Sequence, residues 1–170
     1  ATPSSLIGRT KELEEVRAYL QRSDIRLVNL IGPPGIGKTR LSIESAPALL
    51  SDFPDGVFFV ALALLDDPSL VPQTVAQSLG YVGTRNIPIT DQLREGIGRK
   101  QMLLVLDNCE HLIEAVAALA SSILSACSGL KILATSRESL RITGEWLYPV
   151  LALDSPDETS PVDPETAAHF

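Results

Sequence analysis

The segment GPPGIGKT, Gly32 to Thr39, limits what this chain can fold into more than any other stretch. It matches G-x-x-x-x-G-K-[ST] and lies between IRLVNLI (25–31), which reads as a strand, and RLSIESAPALL (40–50), which reads as a helix. Glycines in such a loop let the backbone wrap closely round a polyphosphate, so that successive N–H groups point inward as an anion-binding nest. The following helix turns the positive end of its dipole toward the same anion. Gly32, Pro33, Pro34, Gly35, Ile36, Gly37, Lys38, Thr39 and the adjoining Arg40 are therefore candidate ligand contacts. Lys38 can reach the β- and γ-phosphates, and the Thr39 hydroxyl is placed to ligate Mg²⁺. A glycine-rich turn without a ligand is the alternative, and the strand-loop-helix setting weighs against it.

Apolar, β-branched runs alternate along the chain with stretches of helical period, which indicates an α/β domain with a largely parallel sheet. The other strand candidates are VFFVALA (57–63), MLLVLD (102–107), LKILATS (130–136) and WLYPV (146–150). Thr10 can cap a helix through about Gln21, with Leu13, Val16 and Leu20 on one face and Glu12 in its first turn. The helix after the glycine-rich loop contains Pro47, which predicts a kink or an early end. PSLVPQTVAQSLG and TDQLREGIG suggest two shorter helices. A longer helix is expected from Glu110 to Ala126, with Gly129 as its stop.

Charge narrows the function classes. The net charge is −7, but Asp154, Asp157, Glu158, Asp163 and Glu165 carry much of it, leaving 16 acids against 14 bases before residue 151. Without clustered positive charge, direct nucleic-acid binding by this segment is not expected. No run of ~18 apolar residues and no basic-then-apolar leader occurs, so the expected setting is soluble and cytoplasmic, without membrane contact. Cys109 and Cys127 lack the close pairing of a metal or redox motif and are expected to be reduced thiols.

VLDNCEH (105–111) reads as a buried strand ending on an acid, at the sheet edge where α/β proteins bind ligands. Asp107 can hold Mg²⁺ against the phosphates, or it can cap the next helix. Asn108 stands where a second, water-activating acid would be useful, and it cannot act as a base. Glu110 can orient or deprotonate water in its place, or serve only as a first-turn glutamate favoured by the helix dipole. His111 reads as a surface residue or as one that supports the site without touching the ligand. ILATSRE ends a further strand on Thr135, Ser136 and Arg137, and a guanidinium there can read a γ-phosphate bidentately, or stand solvated at an ordinary strand-to-loop exit.

Four segments in order, LIGRTKELEEVRAYL, GPPGIGKT, LLVLDNCEHL and ILATSRESL, closely resemble the nucleotide-binding core of the STAND signalling ATPases. The resemblance is strongest to the NB-ARC-like domains of large bacterial transcriptional regulators and covers residues 5 to about 153. It implies a three-layer P-loop NTPase core with a mainly parallel five-stranded sheet in the order 2-3-4-1-5. It also implies ATP/ADP with Mg²⁺ as ligands, backbone contacts from Ile7 and Gly8 to adenine, Arg9 near the nucleotide, and Ser136 and Arg137 at the phosphates. With Glu110 added from its spacing after Asp107, the expected catalytic set is Lys38, Asp107, Glu110 and Arg137. The function implied is a nucleotide-controlled switch with slow hydrolysis and self-association in a full-length protein; the alternatives are an AAA+-like remodelling or loader ATPase and a binding-only module. Residues 1–153 are expected to form this domain and 154–170 an acidic, proline-rich linker or the start of a further segment, within a larger regulator. Thr10 departs from the family's G-R-E-x-E pattern, and the missing second acid points to slow turnover.

Overall fold

The computed structural model describes residues 9–84 and 86–152. The calls on Ile7, Gly8 and the 154–170 segment lie outside these residues. Five parallel strands form one sheet: β1 (Leu27–Ile31), β2 (Val57–Ala61), β3 (Met102–Asp107), β4 (Leu130–Ser136) and β5 (Glu145–Pro149). Their order is β2-β3-β4-β1-β5, as the sequence implies. All six residues of β3 are buried, whereas the edge strands β2 and β5 keep exposed positions. That is why MLLVLD is continuously apolar.

Alternate residues feed two cores. Leu104, Leu106, Ile132 and Ala134 pack under α3 (Val71–Ser78), α4 (Ile89–Ile97) and α5 (Ile113–Ala126). Leu103, Val105, Val28 and Leu133 pack on the other face, under α1 (Thr10–Gln21) and α2 (Lys38–Leu49). Helices thus cover both faces, as parallel sheets require. Neither α1 nor α5 has a basic residue in its last turn, and cations from the strand side reach both C-termini instead. Lys131 Nζ donates to the carbonyls of Leu20 and Arg22 at 2.5 and 2.6 Å. The Arg26 guanidinium donates to Leu124 and Leu130 at 2.8 and 2.9 Å, and to Cys127. Free carbonyls at helix ends find partners in this way.

Several expected boundaries move. Arg9, not Thr10, holds the N-cap position of α1. Pro47 falls in the last turn of α2, which runs two residues further and then tightens into a 3₁₀ turn, Leu50–Asp52. α5 begins at Ile113 rather than Glu110, because Thr135 takes the N–H groups of Asn108 and Cys109 and a turn closed by Leu112 N–H to Cys109 O intervenes. Gly129 does not stop a helix by adopting left-handed backbone. It sits where a Cβ would lie 2.5 Å from Lys100 O and 3.0 Å from Arg99 O.

Gly129→Ala therefore forces two backbone segments apart. Overpacking of this kind is expected to destabilise the fold by about 1–3 kcal/mol. Urea denaturation measures it, and an unchanged midpoint would contradict the close approach.

Candidate nucleotide-binding site

Because every strand is parallel, all C-terminal ends share one edge, and β4 between β3 and β1 brings three sequence-distant tips together. Ile31 is paired with Ser136 and Leu106 with Ala134, so the loop after β1, Asp107 and Thr135–Arg137 are neighbours. Ligands of open α/β sheets bind outside such an edge.

The loop 32–37 depends on two glycines in left-handed backbone: Gly35 has φ 78° and Gly37, the N-cap of α2, has φ 100°. Side-chain-bearing residues rarely adopt these angles. Lys38 is only 7% exposed and folds back over the loop, where Nζ donates to Gly32 O at 2.6 Å and Pro33 O at 2.9 Å. Burial holds its pKa below the usual lysine value; Glu110 and Asp107 pull it up, and Arg137 pushes it down.

Asp107 does not cap α5. Its Oδ1 accepts from Thr39 Oγ1 at 2.9 Å and from Thr135 Oγ1 at 2.6 Å, and the Thr135 hydroxyl also accepts from Asn108 N at 2.9 Å. A hydroxyl and a carboxylate in contact beside a phosphate loop are a hard oxygen donor set. They fit Mg²⁺, which binds through one or two protein oxygens and keeps its waters. Asn108 has φ 66°, a left-handed conformation that asparagine tolerates better than most residues.

Glu110 sits in the β3–α5 turn, outside the helix, so the first-turn reading fails. Its Oε1 lies 3.9 Å from Arg137 Nε, and its Oε2 is buried without a partner. Arg137 is 59% exposed in its side chain, free to turn toward a ligand. Both line an open cleft of about 820 Å³ with Pro34, Gly35, Gly37, Lys38, Thr39 and Arg40.

The remaining expected residues have protein partners. Ser136 is fully buried and accepts from Glu138 N at 3.4 Å. The Arg9 guanidinium is taken up by Glu12 at 2.7 Å, Ile36 O at 2.8 Å and Leu151 O at 3.1 Å, so it braces the loop from behind. Arg40 is exposed and paired with Glu44 at 3.0 Å. His111 meets Leu65 O at 2.8 Å, as a surface residue would. Sequence reasoning missed Thr135 as a partner of Asp107, which the strand order alone could have suggested. It also missed Ile43 and Glu44 on the cleft wall; Glu44 Oε2 is buried and unpaired, and its only sequence signal is the four-residue spacing from Arg40.

The sheet order, the left-handed glycines before α2, and Lys38, Thr39 and Asp107 at one edge define a P-loop NTPase core. More narrowly, the chain belongs to the NB-ARC domain family, whose pattern matches residues 9–146, and it is a nucleotide-binding module. A "Putative HTH-type transcriptional regulator" of Mycobacterium tuberculosis is 44% identical over 143 residues, 84% of this chain and 16% of that protein. An uncharacterized protein of the same organism is 39% identical over 152 residues, 88% of this chain and 38% of its own length. The chain thus spans well under half of these relatives. Among solved structures, Drosophila ORC bound to DNA aligns with a TM-score of 0.67 at 15% identity, covering 91% of this chain and 46% of that one. Cdc6p from Pyrobaculum aerophilum aligns with a TM-score of 0.62 at 16% identity, covering 88% and 47%. Both share the fold. No helix among the described residues is long and apolar enough to cross a membrane.

Lys38→Ala removes the main cation at the loop and is expected to abolish nucleotide binding by calorimetry; unchanged affinity would contradict the site. A bound polyphosphate favours the charged ammonium and raises the depressed pKa of Lys38. Between that depressed value and the ordinary lysine value of 10.5, binding is therefore expected to take up protons. The empty fold should gain stability as pH rises through the same window, since fewer molecules then bury a charge. Binding heats compared in buffers of different ionisation enthalpy measure the uptake, and buffer-independent heats would contradict it.

Proposed function

We propose that this domain is an ATP/ADP-responsive switch with slow Mg²⁺-dependent hydrolysis, acting inside a larger transcriptional regulator. The observation that carries the reading is the contact between the Thr39 hydroxyl and the Asp107 carboxylate beside the phosphate loop. Thr39 and Asp107 would hold magnesium there, which would supply charge neutralisation at the phosphates. Lys38 exchanges its two loop carbonyls for phosphate oxygens, with little exposed charge to desolvate. Arg137 turns from Glu110 to the γ-phosphate, where a guanidinium distinguishes triphosphate from diphosphate. Glu110 orients the attacking water and accepts its proton, while Asn108 can only hydrogen-bond to it.

A base on a turn, three residues beyond Asp107, is less rigidly aimed than one fixed at a strand tip. This supports slow turnover, and with it a switch rather than a motor. Adenine preference, assigned to Ile7 and Gly8, and nucleotide-dependent self-association of the full-length protein belong to the same reading. So do residues 1–153 as the functional unit, a cytoplasmic location, and the absence of direct nucleic-acid contact by this segment. The relative named as a transcriptional regulator supports the wider setting.

Arg137→Ala is expected to weaken ATP about tenfold, the loss of one charge-assisted contact, and ADP much less. Equal loss for both nucleotides would remove its sensor role. Glu110→Gln is expected to reduce an already slow steady-state ATPase by roughly 10²-fold or more, with binding retained. Unchanged turnover would exclude Glu110 as the base. Rapid turnover in the unaltered protein would favour an AAA+-like motor, and none at all a binding-only module.

A further inference from the structure

We propose that Glu145, at the start of β5 and outside the cleft, is a positioning residue that sets how Arg137 meets the nucleotide. The proposal rests on Arg137 being the γ-phosphate contact. The β4–β5 connection, residues 137–144, contains no α-helix, yet it must return from the C-terminal edge of the sheet to the opposite edge. A crossing of that kind leaves backbone groups that need partners.

Glu145 supplies them. Its Oε1 accepts from Ser139 Oγ at 2.6 Å and Arg141 N at 3.1 Å, and its Oε2 from Asn29 Nδ2 at 2.8 Å and Leu140 N at 2.9 Å. Asn29 is fully buried in β1, in the otherwise apolar run LVNLI, and its Nδ2 also donates to Glu138 O at 3.2 Å. One carboxylate and one amide therefore tie residues 138–141 to the strand that runs into the phosphate loop. Arg141, at φ 58°, is held in left-handed backbone by the same carboxylate and by the Ser139 hydroxyl.

Arg137 is the residue immediately before this tied segment. Its side chain is mostly exposed and, among the described residues, has the 3.9 Å approach to Glu110 as its one ion pair, so its reach is set by the backbone on either side, Ser136 in β4 and the tied segment from residue 138. Asn29 Oδ1 is buried with no partner, a cost borne at a position whose Nδ2 bonds to Glu145 Oε2 and Glu138 O hold the loop. The Asn29 amide makes sense as a fixture for the loop.

The test is the ratio of ATP to ADP affinity, measured by calorimetry with Mg²⁺ on the full chain for Glu145→Gln, Ser139→Ala and Arg137→Ala. Glu145→Gln keeps the shape but turns one accepting oxygen into a donor that faces donors. It is expected to cut the ATP preference by roughly threefold or more, toward the Arg137→Ala value, with ADP affinity held within about twofold. Ser139→Ala removes one of four donors and should shift the ratio in the same direction by a smaller factor. It also decides the matter should Glu145→Gln fail to fold. A purely structural role would lower the melting temperature and move both nucleotides together; that result, or an unchanged ratio, overturns the proposal. If Arg137→Ala itself leaves the ratio unaltered, the sensor reading fails and takes this proposal with it, whereas a shift in Arg137→Ala alone overturns only the role of Glu145.

Discussion

One carboxylate oxygen holds the site together. Asp107 Oδ1 accepts hydrogen bonds from the hydroxyls of Thr39 on α2 and Thr135 on β4, residues almost a hundred positions apart in the chain. Asp107 is only 5% exposed and its Thr135 contact is buried, where polar groups must be paired and water competes weakly, while the Thr39 contact opens to the cleft. Thr135 then passes the constraint to Asn108 N, and its carbonyl to Cys109 N, which delays the start of α5 and leaves Glu110 on a turn facing Arg137. The placement of Thr39, Asn108 and Glu110 can be followed back to this junction.

Most of the fold was legible because its signals are local or generic. Parallel strands buried on both faces read as continuous apolar runs, and the phosphate loop announces its own strand and helix. Boundaries were harder where a distant group competed for backbone donors. Nothing within GlnMetLeu or CysGluHis reveals that Thr135 will claim the N–H groups after Asp107, and nothing near Gly129 reveals the carbonyl of Lys100 against it. The strand order came from a family likeness, and it is what turns scattered polar tips into one edge.

The site was legible in its residue types and less so in its contacts. Lys38, Thr39 and Asp107 fall where the motif places them, but Arg9 and Ser136 are committed to protein partners. Asn29 gave a faint signal, a polar residue in the middle of a buried strand. Its meaning depends on Glu145, more than a hundred positions away. Polar residues buried at a distance from a motif are visible in a sequence, but their partners are not.

The Arg9 clamp has a mechanical consequence. A single guanidinium joins Ile36 O, in the phosphate loop, to Leu151 O, where the backbone leaves β5, and Val150 N is bonded to Ile31 O one step earlier. The loop and the departing backbone are thus laced by contacts of about 3 Å, with no hinge between them. A displacement of the phosphate loop would therefore pull directly on the backbone at Val150 and Leu151, at the end of the edge strand β5, which β1 separates from the cleft-lining residues that follow β3 and β4.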